Sequence, residues 1–406
     1  MISSRPFAFN AAMPFIMLTV LIDMVTIGVI VPVLPALVGG FTASPAEQAF
    51  WFGVVMVAFG FANLLGTPVL GALSDSFGRR PVLLLGFCGL GLNLFATGLA
   101  SALWMLIAVR LIGGALQANA AVANAYVADI TPPEQRARRF GLLGAMFGVG
   151  FIVGPMLGGS LGAIDLRLPF FVGGGLAMVN LLYGWLVLPE SLPPERRRPF
   201  RWSAVDPLAS FSALLRLRGV GGLALVLALN ALGQFLQFTS WVLFTSFKFG
   251  WGPEQNGWSL AAVGGMAVLV QGLLLGRLLR WFTPRSLALA GLASCSLACI
   301  GFGAVPEGWM IYAVILLNLL GYTVSATLNS LISAAADART QGQVLGAVSA
   351  LNSLAGVVAP LVGAPLLAAV SHLPHGDWRI GLPFYACALL QGAALLAYLP
   401  YYFRRR

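Results

Sequence analysis

Long apolar segments constrain the fold of this chain more than any other feature. A helix needs about 20 apolar residues to cross a bilayer core of about 30 Å, and twelve segments of that kind lie between the charges and the proline and glycine breaks. They span 13–36, 50–72, 82–101, 103–125, 140–163, 168–188, 222–245, 257–279, 286–304, 308–332, 343–368 and 380–403. Only 23 Lys or Arg and 13 Asp or Glu occur among 406 residues, too few charges to cover a soluble protein of this size. The sequence therefore predicts an all-α membrane protein with twelve transmembrane helices, and it argues against soluble enzymes, disordered proteins and nucleic-acid binders.

The distribution of basic residues predicts how the chain is oriented. With the N-terminus inside, 19 of the 23 basic residues fall in inner loops and tails, whereas Arg167, Lys248 and Arg379 fall in outer loops and Arg110 lies within a span. Cytoplasmic loops carry an excess of Lys and Arg, so both termini are predicted to be cytoplasmic. The net charge of +10 then reflects loops facing an anionic membrane surface, and no nucleic-acid partner is expected.

The longest polar break divides the chain into two similar halves. Residues 189–221, which begin "PESLPPERRRPFRWS", are rich in Pro and Arg and are predicted to be a cytoplasmic linker between a six-helix bundle at 1–188 and another at 222–406. A regulatory or partner-binding role for this segment stays open. Three residue pairs recur at an offset of 205: Gly71 and Gly276, Gly141 and Gly346, and Pro155 and Pro360. This repetition favours a duplicated unit with a central site between two halves.

Motifs for enzymatic chemistry are not supported. A phosphate-binding loop needs a lysine, and the single lysine, Lys248, lies in "SFKFG". The "GGSLG" match at 158–162 lies at the end of a glycine-rich membrane helix, where a nucleophile elbow cannot form. His372 and His375 share an outer loop with Asp377, which we interpret as a solvated turn. We therefore expect no enzyme, cofactor or metal site, and uphill transport would draw on an ion gradient.

The segment "GALSDSFGRRPVLLLG" at 71–86 combines glycines and charges at defined spacings. Gly71 and Gly78 allow close helix approach and a tight turn, and Asp75 can meet a helix N-terminus across the interface between the halves. A plain positively charged inner loop would explain the arginines but not the Gly-Asp-Gly spacing.

Arg79 and Arg80 in the same segment can pair with a carboxylate at a helix end, and Asp129 is the natural partner. The segment resembles the signature of the loop between the second and third helices of the major facilitator superfamily. The resemblance implies that fold and a gating role for Gly71, Asp75, Gly78, Arg79, Arg80 and Asp129.

A second segment, "GVGFIVGPMLGG" at 148–159, resembles the fifth-helix signature of drug/proton antiporters in that superfamily. Its antiporter motif residues are Gly148, Gly154, Pro155, Gly158 and Gly159. Glycines at four-residue spacings let a neighbouring helix pack backbone to backbone, and the proline permits a bend. Generic small-residue packing is the alternative interpretation.

Two charges lie within predicted membrane helices. Asp23 lies about ten residues, or roughly 15 Å, into the first helix, where an unpaired carboxylate costs roughly 2.5 kcal/mol or more. Arg110 lies roughly 10 Å from the outer face on the fourth helix and resembles the family's arginine that is associated with proton coupling. We predict that Asp23 and Arg110 couple transport to protons. A fixed ion pair that only orients the two helices is the alternative.

Uncharged polar residues are predicted to line the central cavity. They are Gln117, Asn119, Asn124, Gln234, Gln237, Gln271, Asn318, Tyr322, Asn329 and Asn352. Interleaved with Phe, Met and Trp, they suit an amphiphilic organic substrate better than a bare anion. Each could equally bond neighbouring helices to one another.

Several stretches resemble the tetracycline efflux branch of the superfamily, including "RLIGGALQANAAVANAYVAD" and "WVLFTSFKFGW". The resemblance implies a drug/proton antiporter that works as a monomer in the bacterial inner membrane by alternating access. The chain departs from the branch at three positions that are ionisable there: Asn93, Ala267 (or nearby Met266) and Cys295 replace Asp, His and Asp. Because those groups handle the metal-drug chelate, the departures put tetracycline itself in doubt.

The leading hypothesis is a proton-coupled antiporter that exports amphiphilic organic compounds. A proton-coupled importer of a nutrient, vitamin or metal complex is the runner-up, and a non-transporting receptor or scaffold is the third. Two soft pairs, Met13 with Met17 and Cys295 with Cys299, could bind metal, but the ninth helix of this family usually faces lipid and Met13 lies at the cytoplasmic margin. Whether sodium replaces the proton stays open.

Overall fold

The computed structural model describes residues 6–117, 119–200, 221–335 and 341–403. Within these residues the chain forms helices and no strands, and twelve helices are long and apolar enough to cross a membrane, as predicted. The first six are α1 Met13–Gly39, α2 Pro45–Phe77, α3 Arg79–Leu99, α4 Leu103–Ile130, α5 Arg138–Ile164 and α6 Leu168–Val187. The last six are α7 Gly222–Phe249, α8 Pro253–Trp281, α9 Pro284–Ala304, α10 Met310–Ser333, α11 Val348–Val370 and α12 Trp378–Phe403.

Three of these helices depart from regular α-helix near their middle. The fourth consists of Leu103–Leu116 and Asn119–Ile130, with Gln117 in a non-helical conformation between them. A π-helical turn, Val270–Leu274, interrupts α8, and a 3-10 segment, Asn318–Thr323, interrupts α10. Such mid-helix irregularities often mark functional sites and hinges. Each carries polar residues that the sequence assigned to the cavity.

The helices pair in a similar way in the two halves. In the first half α1 packs on α5 and α6, and α3 packs on α6; in the second, α7 packs on α11 and α12, and α9 packs on α12. One buried apolar cluster draws only on residues before 189, and another only on residues after 222. The division into bundles 1–188 and 222–406 agrees with these pairings and stays a prediction, as does the linker, of which residues 201–220 lie outside the described part of the chain.

The two halves meet along α5 with α8 and α2 with α11. Contact is close at the predicted outer side, where a Cβ on Gly53 would overlap Ala364 and one on Gly159 would lie 2.5 Å from the carbonyl oxygen of Pro253. Toward the predicted inner side, a Cβ on Gly144 or Gly272 would meet no described atom within 4 Å. The described helices are therefore packed together at the outer end of the interface, whereas these two glycines toward the inner end face open space.

The seventh helix extends beyond its predicted end and changes the position of the single lysine. Lys248 was predicted to lie in an outer loop. It lies instead in the last turn of α7, and its side chain is buried. Its ammonium donates to the carbonyl oxygen of Gly303 and lies 5.6 Å and 5.8 Å from the ring centroids of Phe244 and Phe249. The carbonyl and the aromatic rings stabilise the charge at the helix end.

Candidate functional site: a buried acid and a neutral central cavity

Asp23 is the only buried carboxyl group among the described side chains. It lies on α1, and its Oδ1 accepts a hydrogen bond of 2.7 Å from Nδ2 of Asn119. Asn119 begins the second segment of α4, directly after the break at Gln117, so the break determines where this donor is placed. Asn119 was predicted to line the substrate cavity; the structure instead places it, buried, on the acid.

Arg110 is buried on α4 but does not pair with Asp23. The two side chains form no ion pair in the described part of the chain, so the alternative of a fixed ion pair does not hold in this conformation. Nε and Nη2 of Arg110 have no hydrogen-bond partner among the described atoms, and the guanidinium lies 5.9 Å from the ring centroid of Phe59. A cavity of about 10 Å³ beside it is also lined by Asn93 and Gln117.

The predicted gating loop joins α2 to α3 and holds a cluster of charges. Gly78 has φ +108°, a conformation open to glycine, so the predicted tight turn is present. Arg79 forms ion pairs with Asp129 at 3.1 Å and with Asp75 at 2.6 Å. Asp75 was predicted to meet a helix N-terminus across the interface between the halves. The structure shows it paired with Arg79 of the same segment instead. A Cβ on Gly71 would meet no described atom within 4 Å, so the expected close approach there is not seen.

The carboxylate at a helix N-terminus is Glu190, which sequence reasoning missed. It accepts hydrogen bonds from the backbone N–H groups of Arg79 at 2.8 Å and Arg80 at 3.3 Å, the first two residues of α3. The Arg80 guanidinium donates to the carbonyl oxygen of Trp185, not to the predicted carboxylate. A negative charge at this position satisfies free N–H groups and interacts favourably with the helix dipole. The start of the linker therefore binds the gating loop.

The glycines of α5 contact two different helices, α1 and α8. On one face, Gly150, Gly154 and Gly158 pack against α1; a Cβ on Gly154 would lie 2.7 Å from the Cα of Gly28. On the other face, Gly148 and Gly159 pack against α8 across the interface between the halves. The carbonyl of Pro155 lies against Gly257 of α8 on this second face. The motif predicted for antiporters thus joins a contact within the first half to a contact between the halves.

Predicted cavity residues line a cavity of about 240 Å³, here called the large cavity to distinguish it from the one beside Arg110, and it lies mainly in the second half. Five of the predicted cavity residues line it: Gln234, Gln237, Gln271, Asn318 and Tyr322. The other lining residues are Phe151 of α5 together with Phe238, Trp241, Leu260, Val263, Ala267, Cys295, Gly321, Ser325 and Gln391. Amide, hydroxyl and aromatic groups therefore surround this space.

The two halves differ at one position in the wall of this cavity. In the first half, Gly66 of α2 lets α4 approach so closely that an added Cβ would lie 2.7 Å from the Cα of Ala115. At the offset of 205 residues, Gln271 occupies the corresponding position on α8. Its side chain donates to the carbonyl oxygen of Tyr322 at 3.3 Å. The amide thus connects α8 to α10 by a side-chain hydrogen bond, where in the first half glycine lets α2 and α4 meet backbone to backbone.

Other predicted cavity residues lie elsewhere. Gln117 lines the small cavity beside Arg110. Asn124 is exposed and donates to Ala120 of its own helix at 2.8 Å. Asn329 and Asn352 do not line the large cavity. These side chains are amides like those that line the large cavity. They lie in other surroundings because the rotation of each helix about its axis decides which way a side chain faces.

The three departures from the tetracycline efflux pattern lie at these sites. Asn93 lines the small cavity, where its Nδ2 donates to the carbonyl oxygen of Val109 at 3.1 Å. Ala267 and Cys295 line the large cavity. Cys295 is buried and lines the large cavity, so the expectation that the ninth helix faces lipid is wrong at this residue. Among the described residues no group of three His, Cys, Asp or Glu side chains could hold a metal ion.

The model of the Major Facilitator Superfamily matches residues 16–360. The chain belongs to this superfamily. It is 36% identical over 387 residues to the class C tetracycline resistance protein of Escherichia coli, an alignment covering 94% of this chain and 96% of that protein. It is 34% identical to the class D tetracycline resistance protein of Salmonella ordonez, with 91% and 93% covered.

Solved structures agree with this fold. The crystal structure of a bacterial homologue of the human lysosomal transporter Spinster superposes with a TM-score of 0.76 at 18% identity, covering 98% of each chain. Relatives and structural neighbours are transporters of the superfamily. The chain is therefore a multi-pass integral membrane transporter and not an enzyme.

Proposed function

We propose that this member of the superfamily is a proton-coupled antiporter that exports amphiphilic organic compounds by alternating access. The observation that carries the proposal is its similarity, over nearly the whole chain, to tetracycline resistance proteins. Resistance by a membrane transporter requires removal of the drug, so the importer alternative is not favoured. A scaffold would have no use for a buried intramembrane acid, which is costly to retain.

Two sites support an exchange mechanism. Asp23, buried on α1 and hydrogen-bonded to Asn119, is proposed to bind and release the proton. The cavity of about 240 Å³ in the second half is proposed to bind the substrate. Because the described helices meet at the predicted outer side, while Gly144 and Gly272 toward the inner side face open space, this conformation would load substrate from the cytoplasm.

The gating loop and the glycines of α5 are proposed to act on the switch between states. Arg79, held by Asp75 and Asp129, ties the inner ends of α2, α3 and α4 together, and Glu190 adds the start of the linker. Gly159 and Pro155 lie where α5 meets α8. We propose that the protein works as a monomer in the bacterial inner membrane, with both termini in the cytoplasm.

Expression in a bacterial strain stripped of its efflux pumps tests the direction of transport. We expect raised tolerance to several toxic amphiphiles, with tetracycline included in the panel. The chain has Asn93, Ala267 and Cys295 where the tetracycline efflux pattern has Asp, His and Asp, so a smaller gain for tetracycline than for other compounds is expected. Unchanged tolerance together with faster uptake of a nutrient would contradict export.

The variant Asp23→Asn tests proton coupling. Asparagine keeps the size of the side chain and an oxygen that accepts from Asn119, but it cannot exchange a proton. We expect the raised tolerance to be lost and substrate-driven proton flux in proteoliposomes to fall to the level of empty vesicles, while the protein remains extractable and monodisperse. Proton flux at the original rate would remove Asp23 from the mechanism, and flux driven by sodium alone would identify a different coupling ion.

A further inference from the structure

The described wall of the large cavity carries no formal charge. None of the described side chains that line it is Asp, Glu, Lys, Arg or His. Asp23 does not line it, and Arg110 lies beside the separate cavity of about 10 Å³. A charged substrate bound there would therefore have no counter-charge in contact with it.

An organic cation would be poorly stabilised in this cavity. Moving a charge out of water costs several kcal/mol, which buried ions recover only by pairing and hydrogen bonding. The aromatic rings offer a smaller stabilisation by cation–π contact. Trp241 already makes edge contacts with Phe302 and Phe384 at 5.1 Å and 5.9 Å, and Phe151 packs on Phe238 at 5.9 Å. The rings that remain do not replace a carboxylate.

Hydrogen-bonding groups in the wall point to an uncharged ligand with a donor. Oε1 of Gln391 is buried and has no hydrogen-bond partner among the described atoms, while its Nε2 donates to the carbonyl oxygen of Asn230. Among the described residues, Gln234 makes long contacts of 3.5 Å to Asn230 and Ser325 and no shorter hydrogen bond. A buried acceptor without a partner destabilises the structure, and a ligand hydroxyl or amide N–H would remove that cost.

We propose that the substrate is an uncharged, partly aromatic compound with at least one hydroxyl or amide donor, and that its exchange for a proton moves net charge. The inference rests on the proposed antiport. One proton enters on Asp23 and one neutral molecule leaves, so each cycle carries one positive charge inward. The membrane potential therefore drives export together with the pH gradient. Exchange of a proton for a monovalent cation would move no net charge.

Two probes of the same shape test the ligand class. Triphenylmethanol is neutral and has one hydroxyl donor, and methyltriphenylphosphonium is a cation of similar size. With the purified full-length protein in nanodiscs, we expect the cation to bind at least about tenfold more weakly than the alcohol, which is ~1.4 kcal/mol. The variant Gln237→Glu places a carboxylate in the wall and should tighten cation binding by about tenfold or more.

Gln255→Glu is the matched control. Gln255 is exposed at the outer start of α8, where its Oε1 accepts from the backbone of Gly252, a role that glutamate keeps. We expect this variant to bind both probes as the wild type does. Equal binding of the cation and the alcohol by the wild type, with no gain in Gln237→Glu, would overturn the inference.

Proteoliposomes with a potassium gradient and valinomycin test the charge movement. At equal pH on both sides, an inside-negative potential should increase proton uptake driven by triphenylmethanol severalfold over that at zero potential, as read by an internal pH dye. Proton uptake that does not change with the membrane potential would overturn the proposal of neutral substrate exchange while leaving proton-coupled antiport intact. If neither probe drives proton uptake above the level of Asp23→Asn, proton-coupled export fails, and this inference fails with it.

Discussion

The hydrogen bond between Asp23 and Asn119 depends on a residue without a side chain. Gly86 of α3 lies against the Asn119 amide so closely that an added Cβ would overlap its Oδ1. Asn119 therefore lies between two helices, with its oxygen toward α3 and its Nδ2 toward the acid on α1. Glycine at 86 sets the position of the one described donor to the buried carboxyl group.

The substitution Gly86→Ala should therefore damage coupling more than folding. Overpacking of this kind costs typically about 1–3 kcal/mol, and here the methyl group would displace Asn119 from Asp23. We expect substrate-driven proton flux in proteoliposomes to fall by about tenfold or more. The control is Gly175→Ala on α6, where an added Cβ meets no described atom within 4 Å. Equal flux in the two variants would show that the placement of Asn119 does not matter.

At the scale of helices, α5 connects two interfaces through its two glycine faces. Gly154 lies against Gly28 of α1 within the first half, whereas Gly159 lies against Pro253 and Gly257 of α8 in the second. The contact with α1 belongs to the packing of the first half in any conformation. The contact with α8 must break if the outer side opens. Substitutions on the two faces should therefore have different effects.

We expect Gly154→Ala to lower the thermal stability of the purified protein and Gly159→Ala to shift it toward the outward-open state. The measurement is labelling of Cys295, in the cavity wall, by a membrane-impermeant maleimide added outside, with Cys88, Cys299 and Cys387 replaced by alanine. The labelling rate should rise about tenfold in Gly159→Ala, since overpacking of ~1–3 kcal/mol would weaken the closed contact between α5 and α8. A larger rise in Gly154→Ala would contradict the assignment of faces.

The helices themselves could be predicted because membrane spans need only length and hydrophobicity. Their interruptions could not, since the π-helical turn Val270–Leu274 contains nothing unusual in its composition, VQGLL. Glu190 was missed because it caps a helix that begins 111 residues earlier in the chain, and no local pattern reports that contact. Asn119 and Asn124 are both amides on α4, and only their rotation about the helix axis separates a partner of Asp23 from an exposed side chain.

At the scale of the whole molecule, the described structure shows one side of the interface closed. The seam of α5 with α8 and of α2 with α11 holds the halves together at the predicted outer side. The neutral cavity is lined mainly by the second half, with Phe151 from α5, whereas the buried acid lies in the first half. Exchange of substrate for proton therefore requires the halves to move relative to each other, and the seam is the place where that movement can be stopped.

A disulfide across the seam should arrest transport. A Cβ on Gly162 would lie 3.1 Å from the Cβ of Pro253, near the separation of about 3.5–4.5 Å found in disulfides. In a background in which alanine replaces the four native cysteines, the double variant Gly162→Cys with Pro253→Cys should lose at least about nine-tenths of its export on oxidation and regain it with a reductant. The single variants, which cannot form the bond, should transport equally before and after oxidation. Full export by the oxidised double variant, with the bond confirmed by mass spectrometry, would mean that this seam does not open during transport.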